Sequence, residues 1–155
     1  MKRIILKSAN KRGFTLIEMV VVMFIIAAIL SAVLPAIVGA MNNSNVSNSI
    51  QSIRSLRTAA EQYYTANGGT YTGGTLGTIS IANMAINNML PAKATGNNSF
   101  GGTFSIAPDA NANYVDITLT SVPSNVQATL TTDVANLVAV SPTYTAGTKA
   151  WTAGF

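Results

Sequence analysis

The 155-residue chain is 48% hydrophobic and only 9% charged, against roughly 25% charged for an ordinary soluble domain, and its length allows one globular domain plus an extension. It contains no Cys and no His, which excludes disulfides and thiolate metal sites and removes the commonest general base. The net charge of +4 is not a nucleic-acid footprint. Lys2, Arg3, Lys7, Lys11 and Arg12 lie in an acid-free stretch; the rest sets Arg54, Arg57, Lys93 and Lys149 against Glu18, Glu61, Asp109, Asp116 and Asp133, four against five, so a chain starting at Phe14 carries −1. Positive charge confined to one side of an apolar segment fits cytoplasmic retention beside a membrane span.

The first element predicted is that apolar segment. Met19 to Met41 is broken only by Ser31, Pro35 and Gly39 and is long enough to cross a bilayer core, which needs about 20 residues. Glu18 stands at its entrance, where an acid costs about 2.5–3.5 kcal/mol on insertion scales, so it requires a partner. An ordinary cleaved secretory signal ending at Val38-Gly39-Ala40 fits less well. The stretch exceeds the usual apolar region of about 7–15 residues, and the helical pattern continues beyond the proposed cut.

After the polar Asn42-Asn43-Ser44-Asn45, a helical stripe resumes as Val46, Ile50, Ile53, Leu56, Ala60 and Tyr63, with Arg54, Arg57 and Glu61 off it. Asn67-Gly68-Gly69 supplies the stop. A helix from Phe14 to Ala66 would measure about 80 Å at 1.5 Å per residue, apolar all round in its first half and amphipathic in its second. Pro35 removes one backbone hydrogen bond and Gly39 adds backbone freedom. Together they are either a tolerated membrane-helix kink or a weak point at which the helix can extend.

From Gly68 onward short strands and turns are expected. Tyr114–Thr120 alternates as a half-buried strand. Thr103–Ala107 is its partner, and Leu76–Ile81 a weaker candidate. Asn83–Leu90 reads as a short helix stopped by Pro91. Ser124 caps a helix with the stripe Val126, Leu130, Val134 and Leu137, and Val138–Tyr144 and Lys149–Phe155 form terminal strands. The fold class is α+β, a long N-terminal helix on a small antiparallel sheet.

The run Lys11-Arg12-Gly13-Phe14-Thr15-Leu16-Ile17-Glu18, followed by an apolar helix, resembles the class III signal of type IV pilins and their relatives; the likeness covers residues 11–41 and extends loosely to about Tyr71. The resemblance implies that a prepilin peptidase/methyltransferase cuts between Gly13 and Phe14 and methylates the Phe14 amine. Glu18 and Phe14 then serve subunit assembly, the carboxylate pairing with a neighbouring subunit's Phe14 amine. Pro35, with Gly39, matches the place where family helices lose structure on packing into filaments. Residues 1–13 become a cleaved leader, 14–67 a long helix that is transmembrane over about 14–41 before assembly, and 68–155 a pilin head. The order of head elements and Asn98-Ser99-Phe100-Gly101-Gly102 resemble the type IVb branch, whereas the short leader and Phe14 resemble type IVa. Most pilins staple the C-terminal region with a disulfide. Here packing must hold it, with Tyr144, Trp151 and Phe155 as candidates, or a metal.

No other motif carries chemistry. The Gly-rich stretches 68–77 and 96–102 lack a Gly-Lys-Ser/Thr phosphate loop and read as surface turns. No nucleophile–base set is evident, no catalytic residue or cofactor is expected, and Asp109, Asp116 and Asp133 lack dense calcium-ligand spacing. Asn42-Asn43-Ser44, Asn45-Val46-Ser47 and Asn97-Asn98-Ser99 are weak glycosylation acceptors. The leading reading is a pilin, a non-enzymatic structural subunit stored in the inner membrane and polymerised into an extracellular type IV pilus for adhesion, motility or DNA uptake. Its partners would be other copies of itself, the peptidase, the inner-membrane assembly machinery and lipid. The alternative is a pseudopilin of a type II secretion system, whose major subunits usually carry a clustered calcium site. A single-pass membrane protein that never polymerises leaves Glu18 unexplained.

Overall fold

The computed structural model describes residues 13–90, 97–110 and 113–155. The chain divides into two compact units, one ending at Ala40 and the other running from Met41 to Phe155. One helix, α1 (Leu16–Ala66), contributes to both.

Within the first unit every described residue is exposed, Phe14 by 79% and Phe24 by 76% among them. The most apolar 18-residue window of α1 has a mean hydropathy of 2.9 with none of it buried, long and apolar enough to cross a membrane. Val- and Ile-rich sequence is an indifferent helix former in water, but lipid admits a single strand of chain only as a helix that satisfies its own backbone. The helix runs without interruption through Pro35 and Gly39.

The second unit has its own core. The predicted stripe Val46, Ile50, Ile53, Leu56, Ala60 and Tyr63 is buried as expected, joined by Ala59 and Ser49. The helix ends on Asn67-Gly68-Gly69: Gly68 and Gly69 take φ +82° and +81°, and the Gly69 N–H donates to Tyr64 O at 2.9 Å, the long hydrogen bond of a Schellman stop.

The sheet comprises β1 (Phe104–Pro108), β2 (Val115–Leu119), β3 (Val140–Thr145) and β4 (Ala150–Gly154) in the order β1-β2-β4-β3, with every neighbouring pair antiparallel. β2 has the alternation read from sequence, with Val115, Ile117 and Leu119 buried. The edge strand β3 carries Pro142 inside a register shift between Val140 and Thr143, where a residue without an N–H is tolerated. Between the hairpins lies α3 (Ser124–Val134), which buries Val126, Leu130 and Val134. Leu137 lies past its end.

Three local expectations are corrected. Leu76–Ile81 is not a strand: Leu76 sits in a turn closed by an isolated Gly74–Gly77 bridge, and Ile81 already begins a helix. The short helix α2 is Ile81–Ile86, capped by Ser80 through Asn83 N–H at 3.1 Å. Its end is set by Asn88 at φ +54°, with Met89 N–H on Met84 O and Asn88 N–H on Ala85 O; this is a Schellman cap, completed before Pro91, which lies outside the described residues. Ser124 is the first residue of α3 rather than its cap; Pro123 occupies the cap position without a side-chain bond.

The C-terminal region is held by packing and pairing. Trp151 is fully buried and its Nε1–H donates to Thr131 Oγ1 at 3.2 Å. Tyr144 OH donates to Val122 O at 3.0 Å, and Phe155 exchanges backbone bonds with Val115 at 2.9 and 3.0 Å.

Candidate processing and assembly site

Gly13, Phe14 and Thr15 precede the helix in non-helical backbone, and all three are exposed. Met19 N–H donates to Thr15 O at 3.3 Å, which places Thr15 at the cap. The Thr15 N–H and Oγ1–H both donate to Glu18 Oε2, at 2.8 and 2.9 Å, and the Glu18 N–H reaches back to Thr15 Oγ1 at 3.3 Å. This is a capping box, in which the N-cap Thr and the Glu three residues later satisfy each other's free N–H groups. A carboxylate there also faces the positive end of the helix dipole.

The structure therefore brings Phe14 and Glu18 into one neighbourhood: both line a shallow, mostly apolar groove with Ile17, Val21 and Val22. The partner that the single chain supplies to the acid is Thr15, which the sequence reading missed. The Thr-x-x-Glu spacing ahead of an apolar run was the signal available. Gly39 has open space on its Cβ side.

In the second unit two asparagines behave as buried hubs. Asn67 Nδ2 donates to Thr70 O at 2.8 Å and Gly77 O at 3.0 Å, while its Oδ1 accepts from Leu76 N–H at 2.6 Å. Asn98 Nδ2 donates to Thr120 O at 2.8 Å and its Oδ1 accepts from Phe100 and Gly102 N–H. Each hub has a glycine pressed near it. A Cβ on Gly74 would lie 2.0 Å from Asn67 O, and one on Gly102 2.1 Å from Thr120 O. The described parts of these Gly-rich stretches are thus more than surface turns.

The aspartates are not equally scattered. Asp116 stands opposite Ala107 in the β1–β2 ladder and the Asp109 N–H closes the same end on Tyr114 O at 3.0 Å; burial, and then the charge of Asp109, pushes the Asp116 carboxyl above its ordinary range. Asp133 instead lines a groove with Arg54 between α1 and α3. Among the described residues no three metal-ligating side chains come together. Arg57 holds Glu61 at 3.0 Å and donates to Leu137 O at 3.0 Å. Burial, followed by the Glu61 charge, raises the Tyr71 phenol.

Residues 8–34 match the Prokaryotic N-terminal methylation motif. The chain carries a class III signal. That signal belongs to type IV pilins and pseudopilins, and it implies processing by a prepilin peptidase and assembly into filaments. The exposed apolar helix, which starts within the matched residues, fits a membrane-anchored, pilin- or pseudopilin-like precursor. No curated protein matches the chain.

Proposed function

We propose that the chain is a pilin, the structural subunit of a type IV pilus. Residues 1–13 leave as a leader, cut between Gly13 and Phe14, and Phe14 becomes the methylated terminus. The long helix 14–67 holds the subunit in the inner membrane until the assembly machinery draws it into a helical homopolymer, with residues 68–155 as the head. Glu18 sets axial register by pairing with the Phe14 amine of a neighbouring subunit, and Pro35 with Gly39 is the place where the helix lengthens under packing or load. The filament serves adhesion, motility or DNA uptake; a mature side-chain charge of −1 gives DNA no electrostatic attraction to the subunit as a whole.

The observation that carries this reading is the wholly exposed apolar half of α1, which begins inside the methylation motif and runs on past its end at residue 34. An exposed patch of that size marks a partner or a membrane. Electron microscopy of sheared surface filaments, with intact-mass analysis of their subunit, tests it. Long filaments whose subunit starts at Phe14 and carries one added methyl support the pilin. The same processed mass without surface filaments would favour the pseudopilin, and a mass starting at Met1 would sink both.

A further inference from the structure

Glu18 is the one acid of the apolar segment, and hydrogen bonds from Thr15 converge on a single oxygen of it: the Thr15 amide at 2.8 Å and the Thr15 hydroxyl at 2.9 Å, both on Oε2. Charge-assisted bonds of this length are the strong ones, and in apolar surroundings they replace the water that the carboxylate has lost. The carboxylate is folded back toward the N-terminal end of its own helix. It ends on the backbone nitrogen next to that of Phe14, and Phe14 and Glu18 line the same groove.

We propose that Thr15 is a positioning residue: it satisfies the Glu18 carboxylate in the precursor and presents it to the Phe14 nitrogen when the leader is removed. This rests on the processing proposed above. Hydrolysis of the Gly13–Phe14 peptide leaves a carboxylate on Gly13, while the Phe14 nitrogen takes both protons of the water and becomes an ammonium. The new cation is then created one peptide unit from an anion already aimed at that end of the chain. In the precursor, where no amine exists at Phe14, the Thr15 amide and hydroxyl are the donors that make the acid tolerable in lipid. After cleavage the ammonium supersedes the hydroxyl, and the carboxylate is free to exchange between its own amine and that of a neighbour. Thr15 thereby separates two requirements that Glu18 alone cannot meet, insertion without a counter-charge and pairing with one.

The test uses the uncleaved full chain reconstituted in phosphatidylcholine vesicles, with dicyclohexylcarbodiimide as a probe of carboxyl groups in apolar surroundings. Labelling at Glu18 is read by mass, with Glu18→Gln as the blank. Thr15→Val keeps shape but deletes the hydroxyl and should label about fivefold faster, the factor corresponding to loss of a typical N-cap. Thr15→Ser should label at the wild-type rate. In the chain starting at Phe14 the difference between Val and Thr should shrink to within about twofold, because the amine has taken over. Equal labelling of Val and Thr in the precursor overturns the proposal, as does a Ser variant that behaves like Val. A difference that persists undiminished in the processed chain overturns the hand-over. Circular dichroism of each variant in the vesicles controls for loss of the helix. Processing is read separately, from the intact mass of the subunit in producing cells; a chain beginning at Met1 there would remove the pilin reading while leaving the labelling of the precursor to stand on its own.

Discussion

The two halves of α1 share one backbone geometry and have opposite surroundings. Between Leu16 and Met41 no described residue is buried, whereas beyond Met41 Val46, Ile50, Ile53, Leu56, Ala59, Ala60 and Tyr63 all are. The difference follows from patterning. In the second half one stripe is apolar and finds a sheet; in the first the apolar surface runs all round, and a domain this small has nothing to cover it. Burial near 25 cal/mol per Å² stabilises the second unit, Met41–Phe155, through the second half. In the first half the same apolar surface stays open, and under the proposed function it is reserved for lipid or for other copies of the chain. One half is matched to the inside of its own molecule and the other to what lies outside.

Substitutions that exchange the roles of the halves test this comparison. The largest effect is expected at its N-terminal end. Glu18→Ala should abolish or cripple filament formation while cleavage at Gly13 continues, and normal filaments from that variant in electron micrographs would refute the role given to Glu18. Next in size, Trp151→Ala removes the largest fully buried side chain of the head and should cost about 3–5 kcal/mol in urea denaturation of the detergent-solubilised chain followed by circular dichroism. Ile25→Ala, in the exposed half, should leave the same midpoint essentially unmoved; a comparable loss from both would show that the first half is part of the head's core. Gly102→Ala drives a Cβ into Thr120 O, backbone that cannot swing aside, and a cost of about 1–3 kcal/mol is expected.

Smaller effects sharpen the contrast within the second half. Ser49 is fully buried and its Oγ lacks a hydrogen-bond partner among the described residues. Ser49→Ala should raise the second unit's stability by about 1 kcal/mol, by removing an unsatisfied hydroxyl and improving helix propensity; an unchanged or lower midpoint would mean that the hydroxyl is satisfied. The smallest effect is electrostatic. Asp116 is raised in the folded state by burial and by Asp109, so the native head binds its proton more tightly than the unfolded chain does. Stability from this group therefore falls as pH rises through its folded titration and is recovered as pH falls toward the unfolded value. Asp116→Asn should stabilise the head at neutral pH by a few tenths of a kcal/mol, the scale of a partly exposed charge, with the gain vanishing in acid. A gain that persists at low pH would point to packing instead.

The long helix, its amphipathic second half, the β2 alternation and the methylation motif were legible because each rests on neighbours in sequence: a 3.6- or 2-residue period, or a fixed spacing around Gly13. The misreadings concern where single backbone hydrogen bonds go, which no period shows. Leu76–Ile81 has strand composition, but Asn67, nine residues before Leu76, claims the Leu76 amide and the Gly77 carbonyl and turns it into a bend. Pro91 is the louder stop signal for α2, but the Asn88 and Met89 N–H groups close the helix before it with two backbone bonds. The candidate site was half legible. Gly13, Phe14 and Glu18 stand out by residue type, whereas Thr15, an ordinary residue, gains its part only from the cap it makes.

By itself the sequence determined where the charge, the apolarity and the periodicities lie, and with them the order of elements, the membrane-length helix and the position of Glu18, because these are properties of the chain's local chemistry. Tertiary structure alone decided that β4 enters between β2 and β3, that Asn67 and Asn98 become buried amide hubs with Gly74 and Gly102 pressed against backbone near them, and that Trp151, Tyr144 and the Phe155–Val115 pairing hold a C-terminal region without cysteine. Those contacts join separate loops and strands outside any helical or strand period, and their energies depend on which surfaces meet rather than on what any one segment prefers.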